Sequence, residues 1–260
     1  MPNETILLHI CCAPCATTVI RRLQEAGYDV HGFFYNPNIQ PEKEYYLRLM
    51  EVQRLCKLWS IPLEIGDYDW DRWQAEIHGL EAEPEGGERC RVCFRYRLAA
   101  VAQKAKELEL GTIATTLTIS PHKPPEVVNP IGKEVCDELE IKFYEADWKK
   151  KEGFKQSLDT CRELSIYRQQ YCGCRYSLKE REERLAQKAT QEVVRIIEAG
   201  AGKQSEAAPK RVTKAMRILA EKPPVEAPAS VKPADTRAKW ELSPLERKMR
   251  RDKKAKPWQK

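Results

Sequence analysis

No apolar run in this 260-residue chain approaches the roughly 20 residues that cross a bilayer, so no membrane-spanning helix is expected. The opening MPNETILLHI has no basic charge ahead of its short apolar stretch and does not read as a signal peptide. A cytoplasmic location follows as the expectation. No internal repeat is visible, which excludes solenoid and propeller architectures. Aliphatic residues are scarce beyond Gly202, where proline, alanine and lysine dominate, so a packed core is not expected there.

What remains is a soluble globular composition, 42% hydrophobic and 32% charged, long enough for one generous domain or two small ones. Charge divides the chain. Residues 203–260 carry 17 Lys and Arg against 7 Asp and Glu, whereas residues 1–202 carry 28 against 32. We therefore expect a domain over residues 1–202 and a basic, largely disordered tail over 203–260.

Cysteine is abundant. Seven of the ten fall in tight groups, Cys11/Cys12/Cys15, Cys90/Cys93 and Cys172/Cys174. In a reducing compartment such grouping points to metal or redox chemistry rather than to a disulfide framework. The scattered Cys56 and Cys136 read as small core residues.

The pattern over 1–150 alternates strand and helix. TILLHIC, YDVHGFFYN, IPLEIGDYD, TIATTLTIS and IKFYEADW read as strands; CATTVIRRLQEAG, EKEYYLRLMEVQRLCKLWS and CRVCFRYRLAAVAQKAKELELG read as helices. That order argues for an α/β fold, a parallel sheet with helices on both faces, followed by a helical C-terminal part from Lys150 to Glu198 broken at YCGCRYS. In such folds ligands lie beyond the carboxyl ends of the strands, where CCAPC and TISPHK fall.

Cysteines in this arrangement admit three chemistries. Cys12 and Cys15 at a strand-to-helix junction resemble a thioredoxin-type dithiol, yet Cys11 has no place in one. Two C-x-x-C pairs suit a structural zinc ion, which leaves Cys11 and the CGC unused. A 4Fe–4S cluster on Cys11, Cys12, Cys90 and Cys93, with Cys15 as a neighbour, uses more of the sequence. Cys172 and Cys174, one glycine apart, would close a small and easily reduced ring. Proton donors are harder to place among His9, His122, Tyr96, Tyr171 and Asp147; His122, in the TISPHK loop, is the favoured candidate.

HICCAPC, ERCRVCFRYRL, TTLTISPHK, DWKKKEGFKQS and YRQQYCGC, in this order over residues 5–185, resemble the epoxyqueuosine reductase family QueH. The resemblance implies a Rossmann-like fold akin to the adenine-nucleotide α-hydrolases. CCAPC stands where those enzymes carry a phosphate loop, so nucleotide hydrolysis is not expected. It also implies reductive deoxygenation of epoxyqueuosine to queuosine at the wobble position of tRNA. A 4Fe–4S cluster falls on Cys11, Cys12, Cys90 and Cys93, and a redox-active disulfide on Cys172 and Cys174. An additional iron ion beside the cluster would draw on Cys15. The partners are then tRNA carrying epoxyqueuosine in its anticodon and an electron donor whose identity the sequence does not give. Arg95, Arg97, Lys123, Lys149, Lys150, Lys151, Lys155 and Arg175 are candidate positive surface for phosphates. Two readings from other classes remain: a cluster-dependent tRNA sulfur-transfer enzyme and a zinc-stabilised RNA-binding module.

Overall fold

The computed structural model describes residues 4–201; the basic tail over 203–260, expected to be disordered, lies outside the described residues. Five parallel strands, β1 (Glu4–His9), β2 (Tyr28–Phe34), β3 (Leu63–Ile65), β4 (Thr112–Thr115) and β5 (Lys142–Phe143), form one sheet in the order β3-β2-β1-β4-β5. β1 lies at the centre, with Glu4 opposite Tyr28 and His9 opposite Phe33 on one side, and Leu7 opposite Ile113 on the other. Its Ile6, Leu7 and Leu8 are wholly buried, as a strand covered on both faces requires. The fold class expected from the alternation is the one observed.

Helices α1 (Ala13–Glu25), α2 (Glu42–Trp59), α3 (Trp70–Glu76), α4 (Glu88–Glu107), α5 (Pro125–Asp137) and α6 (Gly153–Glu163) complete a compact unit ending at Gly173. A second unit begins at Cys174 and contains α7 (Arg175–Ala201). α1 forms because Cys12 holds an extended backbone at the N-cap, Pro14 fits the first turn, and Ala16, Val19, Ile20 and Leu23 supply one buried stripe. Gly27, at φ +90°, then turns the chain into β2.

The strands are shorter than their apolar patterns. TIATTLTIS leaves the sheet at Thr115 and closes as a 3-10 turn over Leu117–Ile119. IKFYEADW contributes only Lys142 and Phe143. α3 and α5 have no counterpart in the sequence reading. α5 contains Pro130 and Gly132, which read as helix breakers; a Cβ at Gly132 would stand 2.4 Å from the Phe143 ring, so close helix–sheet packing explains that glycine.

DWKKKEGFKQS proves to be a brace for α1. Thr18 donates to the Gly153 carbonyl at 3.1 Å, and Ser157 to the Pro14 carbonyl at 2.6 Å. Arg22 reaches the carbonyls of Trp148, Lys150 and Lys151, and the Trp148 indole donates to the Thr115 carbonyl at 2.9 Å. The chain turns through left-handed conformations at Lys151 and Glu152 and arrives so tightly that a Cβ on Gly153 would lie 1.8 Å from the Trp148 carbonyl oxygen. Gly153→Ala is accordingly expected to cost about 1–3 kcal/mol or more, read as a lowered Tm of the full chain.

Candidate metal centre

β1 and β4 are the neighbours at which the strand order reverses, the place where a crevice opens at the carboxyl ends of a parallel sheet. Cys11 follows β1 by two residues and Thr116 follows β4 directly. The Cys11 amide donates to Thr116 Oγ1 at 3.0 Å, Thr116 Oγ1 donates to Cys11 Sγ at 3.2 Å, and the Thr116 amide donates to the His9 carbonyl at 3.0 Å. These bonds fix the CCAPC turn over the switch point.

The Sγ atoms of Cys11, Cys12 and Cys15 all lie within 4.8 Å of one another, buried. Cys11 and Cys12 are 3.8 Å apart. The trio could hold a metal ion. Contacts with Cys12 and then Cys15 hold the Cys11 thiol well below its usual pKa; burial and then Cys11 push Cys12 up to about 12. Of the three, Cys11 is the thiol its neighbours favour in the ionised form, while Cys12 and Cys15 are pushed the other way.

Cys90 and Cys93 stand on the first turns of α4, Cys93 buried and Cys90 half-buried, and the Gly86 amide donates to Cys90 Sγ at 3.2 Å. They are not part of the tight trio; what relates them to it is charge. Burial alone would lower the Arg97 pKa, but Cys93, Cys172, Cys11 and Cys90 outweigh it and raise it. Lys123 behaves alike under Cys172, Cys11 and Cys15. Between them the two buried cations are within electrostatic range of thiols drawn from all three cysteine groups. Arg97 otherwise meets neutral oxygens, the Cys93 carbonyl at 3.3 Å and Asn36 Oδ1 at 3.4 Å, and its Nη2 is buried without a partner. A sulfur-rich donor set beside an orphaned cationic nitrogen fits an anionic metal–thiolate group.

Cys172 lies half-buried on the irregular stretch before α7. Arg48, paired with Glu44 at 2.8 Å, donates to the carbonyls of Cys172 at 2.8 Å and Tyr171 at 3.1 Å. Gly173 adopts φ +140°, and a Cβ there would meet Ile39 at 3.0 Å, so a larger residue between the two thiols is strained. Cys174 opens the second unit, its Sγ accepting from the Ser177 amide at 3.4 Å. Neither Cys172 nor Cys174 is in a disulfide.

The remaining candidates separate clearly. His9 is wholly buried, its Nε2 donating to the Tyr35 carbonyl at 3.2 Å and its Nδ1 accepting from Thr115 at 2.9 Å; burial, then Arg97, hold its pKa down at about 4. It is a neutral pin between strands. His122 is exposed, one residue from Lys123. Cys56 and Cys136 are core residues, as expected, their thiols pushed up to about 12, by burial in both cases and a nearby Asp137 for the latter. Tyr35 and Tyr96 both donate to Asp69, at 2.9 and 3.0 Å, and burial first, then each other's proximity and the carboxylate, raise the Tyr35 phenol.

Several expectations of positive surface need correction. Arg97 and Lys123 are 2% and 8% exposed and serve the interior. Arg95 is held between Glu134 at 2.9 Å and Glu138 at 2.6 Å, and Lys149 bonds Asp147 at 3.5 Å and the Thr118 carbonyl at 3.3 Å. Sequence reasoning missed Thr116, Arg48 and Gln169, whose Nε2 donates to Cys12 Sγ at 2.9 Å. None carries a spacing signal, because the contacts Thr116–Cys11, Arg48–Cys172 and Gln169–Cys12 span 105, 124 and 157 positions.

A buried group of thiols at the switch point of a parallel sheet, with buried cations nearby, defines a parallel α/β protein with a candidate metal centre. Residues 6–180 match the family described as epoxyqueuosine reductase QueH, and the chain belongs to that family. Relatives named epoxyqueuosine reductase QueH include that of Streptococcus pyogenes serotype M1, 40% identical over 183 residues (68% of this chain, 71% of the relative). Another, from Thermotoga maritima, is 34% identical over 186 residues, 70% of this chain and 95% of the relative. Among solved structures, a U34-tRNA thiolase from Methanococcus maripaludis with its [4Fe-4S] cluster aligns over 86% of this chain and 75% of its own. Its TM-score of 0.46 and 12% identity are too low for that likeness to bear on the site.

Proposed function

We propose that this chain reduces epoxyqueuosine to queuosine in the anticodon of tRNA, on an iron–sulfur centre supplied with electrons by a cysteine pair. One observation carries the reading beyond family membership: Arg97 and Lys123 are buried cations within electrostatic range of Cys11, Cys15, Cys90, Cys93 and Cys172, thiols that would offset them once ionised by a metal. A 4Fe–4S cluster would be held by Cys11, Cys12, Cys90 and Cys93, with Cys15 available to an additional iron ion. Such a cluster, when bound, passes single electrons and offers iron as a Lewis acid to an oxygen.

The protein's own groups do the rest. Arg97 and Lys123 neutralise the anionic centre away from water, where each charge counts for more. Cys172 and Cys174 store reducing equivalents: their oxidation to a disulfide releases two electrons and two protons, the amounts needed to remove an epoxide oxygen as water. His122, exposed beside Lys123, is the proposed proton source in contact with solvent. An external reductant regenerates the dithiol.

The test is chemical. Protein purified without oxygen should carry about four acid-labile sulfides and about four irons per chain, or about five irons with the additional ion bound, absorb at about 400 nm and bleach with dithionite. It should convert tRNA-bound epoxyqueuosine to a nucleoside lighter by one oxygen. A second reading has its own support: two thiolates about 2.3 Å from one tetrahedral ion sit about 3.8 Å apart, the spacing of Cys11 and Cys12. A colourless protein with one zinc and no sulfide would establish that reading and remove the reductase.

A further inference from the structure

Gln169 lies on the irregular stretch between α6 and α7, three residues before Cys172. Its Nε2 donates to Cys12 Sγ at 2.9 Å, while its Oε1 is buried without a hydrogen-bond partner. A glutamine serving only to fasten this stretch would satisfy both ends, since buried polar atoms rarely go unpaired. Here only the donor end is used, and it is spent on sulfur. The stretch is also held where Arg48 donates to the Cys172 carbonyl at 2.8 Å. Between these two anchors lies the segment leading into the CGC thiols.

We propose that Gln169 is a positioning residue that sets the reduction potential of the metal centre and ties it to the segment bearing Cys172. An N–H directed at a ligand sulfur withdraws charge from it and so favours the reduced, more negative state of the bound group. The same residue links this effect to the dithiol segment, so a change of backbone at Cys172 loosens the donor on Cys12. The inference deepens the reading of the site as an iron–sulfur centre and rests on it.

Gln169→Leu removes both polar ends at similar size; Gln169→Glu keeps the length but exchanges the donor for an acceptor. The full chain and both variants are reconstituted with iron and sulfide without oxygen, assayed for both elements, and titrated with dithionite at fixed potentials, one electron entering per cluster. The Leu variant should hold native amounts of iron and sulfide and show a reduction constant lower by about tenfold, a midpoint more negative by about 59 mV for a one-electron couple. The Glu variant should fall further. A fully loaded variant with the native midpoint overturns the role of Gln169 and leaves the iron–sulfur reading intact. If the native chain itself takes up no iron–sulfur chromophore, both fall together. If the Leu variant loads poorly, the midpoint of the Glu variant decides.

Discussion

Lys123→Met in the full chain is expected to fold with an undiminished Tm and to lose bound iron and sulfide. The reasoning starts from desolvation. An ammonium 8% exposed loses most of its hydration, a cost of several kcal/mol that only opposite charge at close range offsets. For Lys123 the groups within range are Cys172, Cys11 and Cys15, thiols that supply such charge once deprotonated. Deprotonated sulfur is the form that binds metal, so the lysine is best satisfied when the site is loaded. Methionine fills similar volume without charge. The apo chain sheds a desolvation penalty, while the loaded chain loses half of its compensating cation pair. Residues supporting a metal site through such contacts cost about 10–100-fold in metal affinity when removed. A chelator competition on reconstituted protein reads this directly, and Lys123→Arg should recover most of the lost affinity because it keeps the charge. Native iron retention in the Met variant would show that the thiols need no cation, and the charge argument for the centre would go.

Arg97 completes the pair but serves a second purpose. Its Nε is 3.3 Å from the carbonyl of Cys93, one helical turn earlier, so it fixes α4 locally as well as facing sulfur. Arg97→Met is therefore expected to lower Tm, and Lys123 is the cleaner probe.

The sequence made the sheet legible because β1 carries the apolar run Ile6–Leu8 and β4, buried throughout, is built of the strand-favouring Thr and Ile with one Ala. It overstated their lengths, since Leu117 and Ile119 are buried on a turn rather than on a strand. Apolar character reports burial, and only hydrogen bonding distinguishes a strand end from a buried turn. α5 was hidden for the opposite reason: Pro130 and Gly132 read as breakers, yet Gly132 obeys tertiary packing against Phe143, which no local propensity records. The cysteines announced the site through their clustering, a local signal. The cations did not. Lys123 in TISPHK and Arg97 in CFRYRL resemble surface charges by composition, and only the topology turns them inward. Gln169 and Thr116 are fainter still, each being one polar residue in a polar stretch, significant solely through a sulfur contributed by β1's far end.

Cys172→Ser and Cys174→Ser, singly or together, are expected to abolish sustained turnover with a thiol reductant while preserving turnover driven by dithionite. The electron count demands the first outcome. Removal of the epoxide oxygen consumes two electrons and two protons, and a one-electron centre cannot complete it from a single charge; a dithiol oxidised to its disulfide provides both electrons at once. Electrostatics support the role, because Cys172 acts on the same buried Lys123 and Arg97 as the proposed cluster ligands do. Gly173 between the thiols sits at φ +140°, a conformation open to glycine. Dithionite reduces the metal centre without thiols, so the second outcome separates an electron-supplying pair from residues that merely hold the fold. The measurement is product formed per enzyme, by mass spectrometry of digested tRNA, under each reductant. Loss of activity with both reductants would make the cysteines structural. Undiminished turnover with the thiol reductant would show that electrons reach the centre by another route, and the CGC segment would have no part in the reduction.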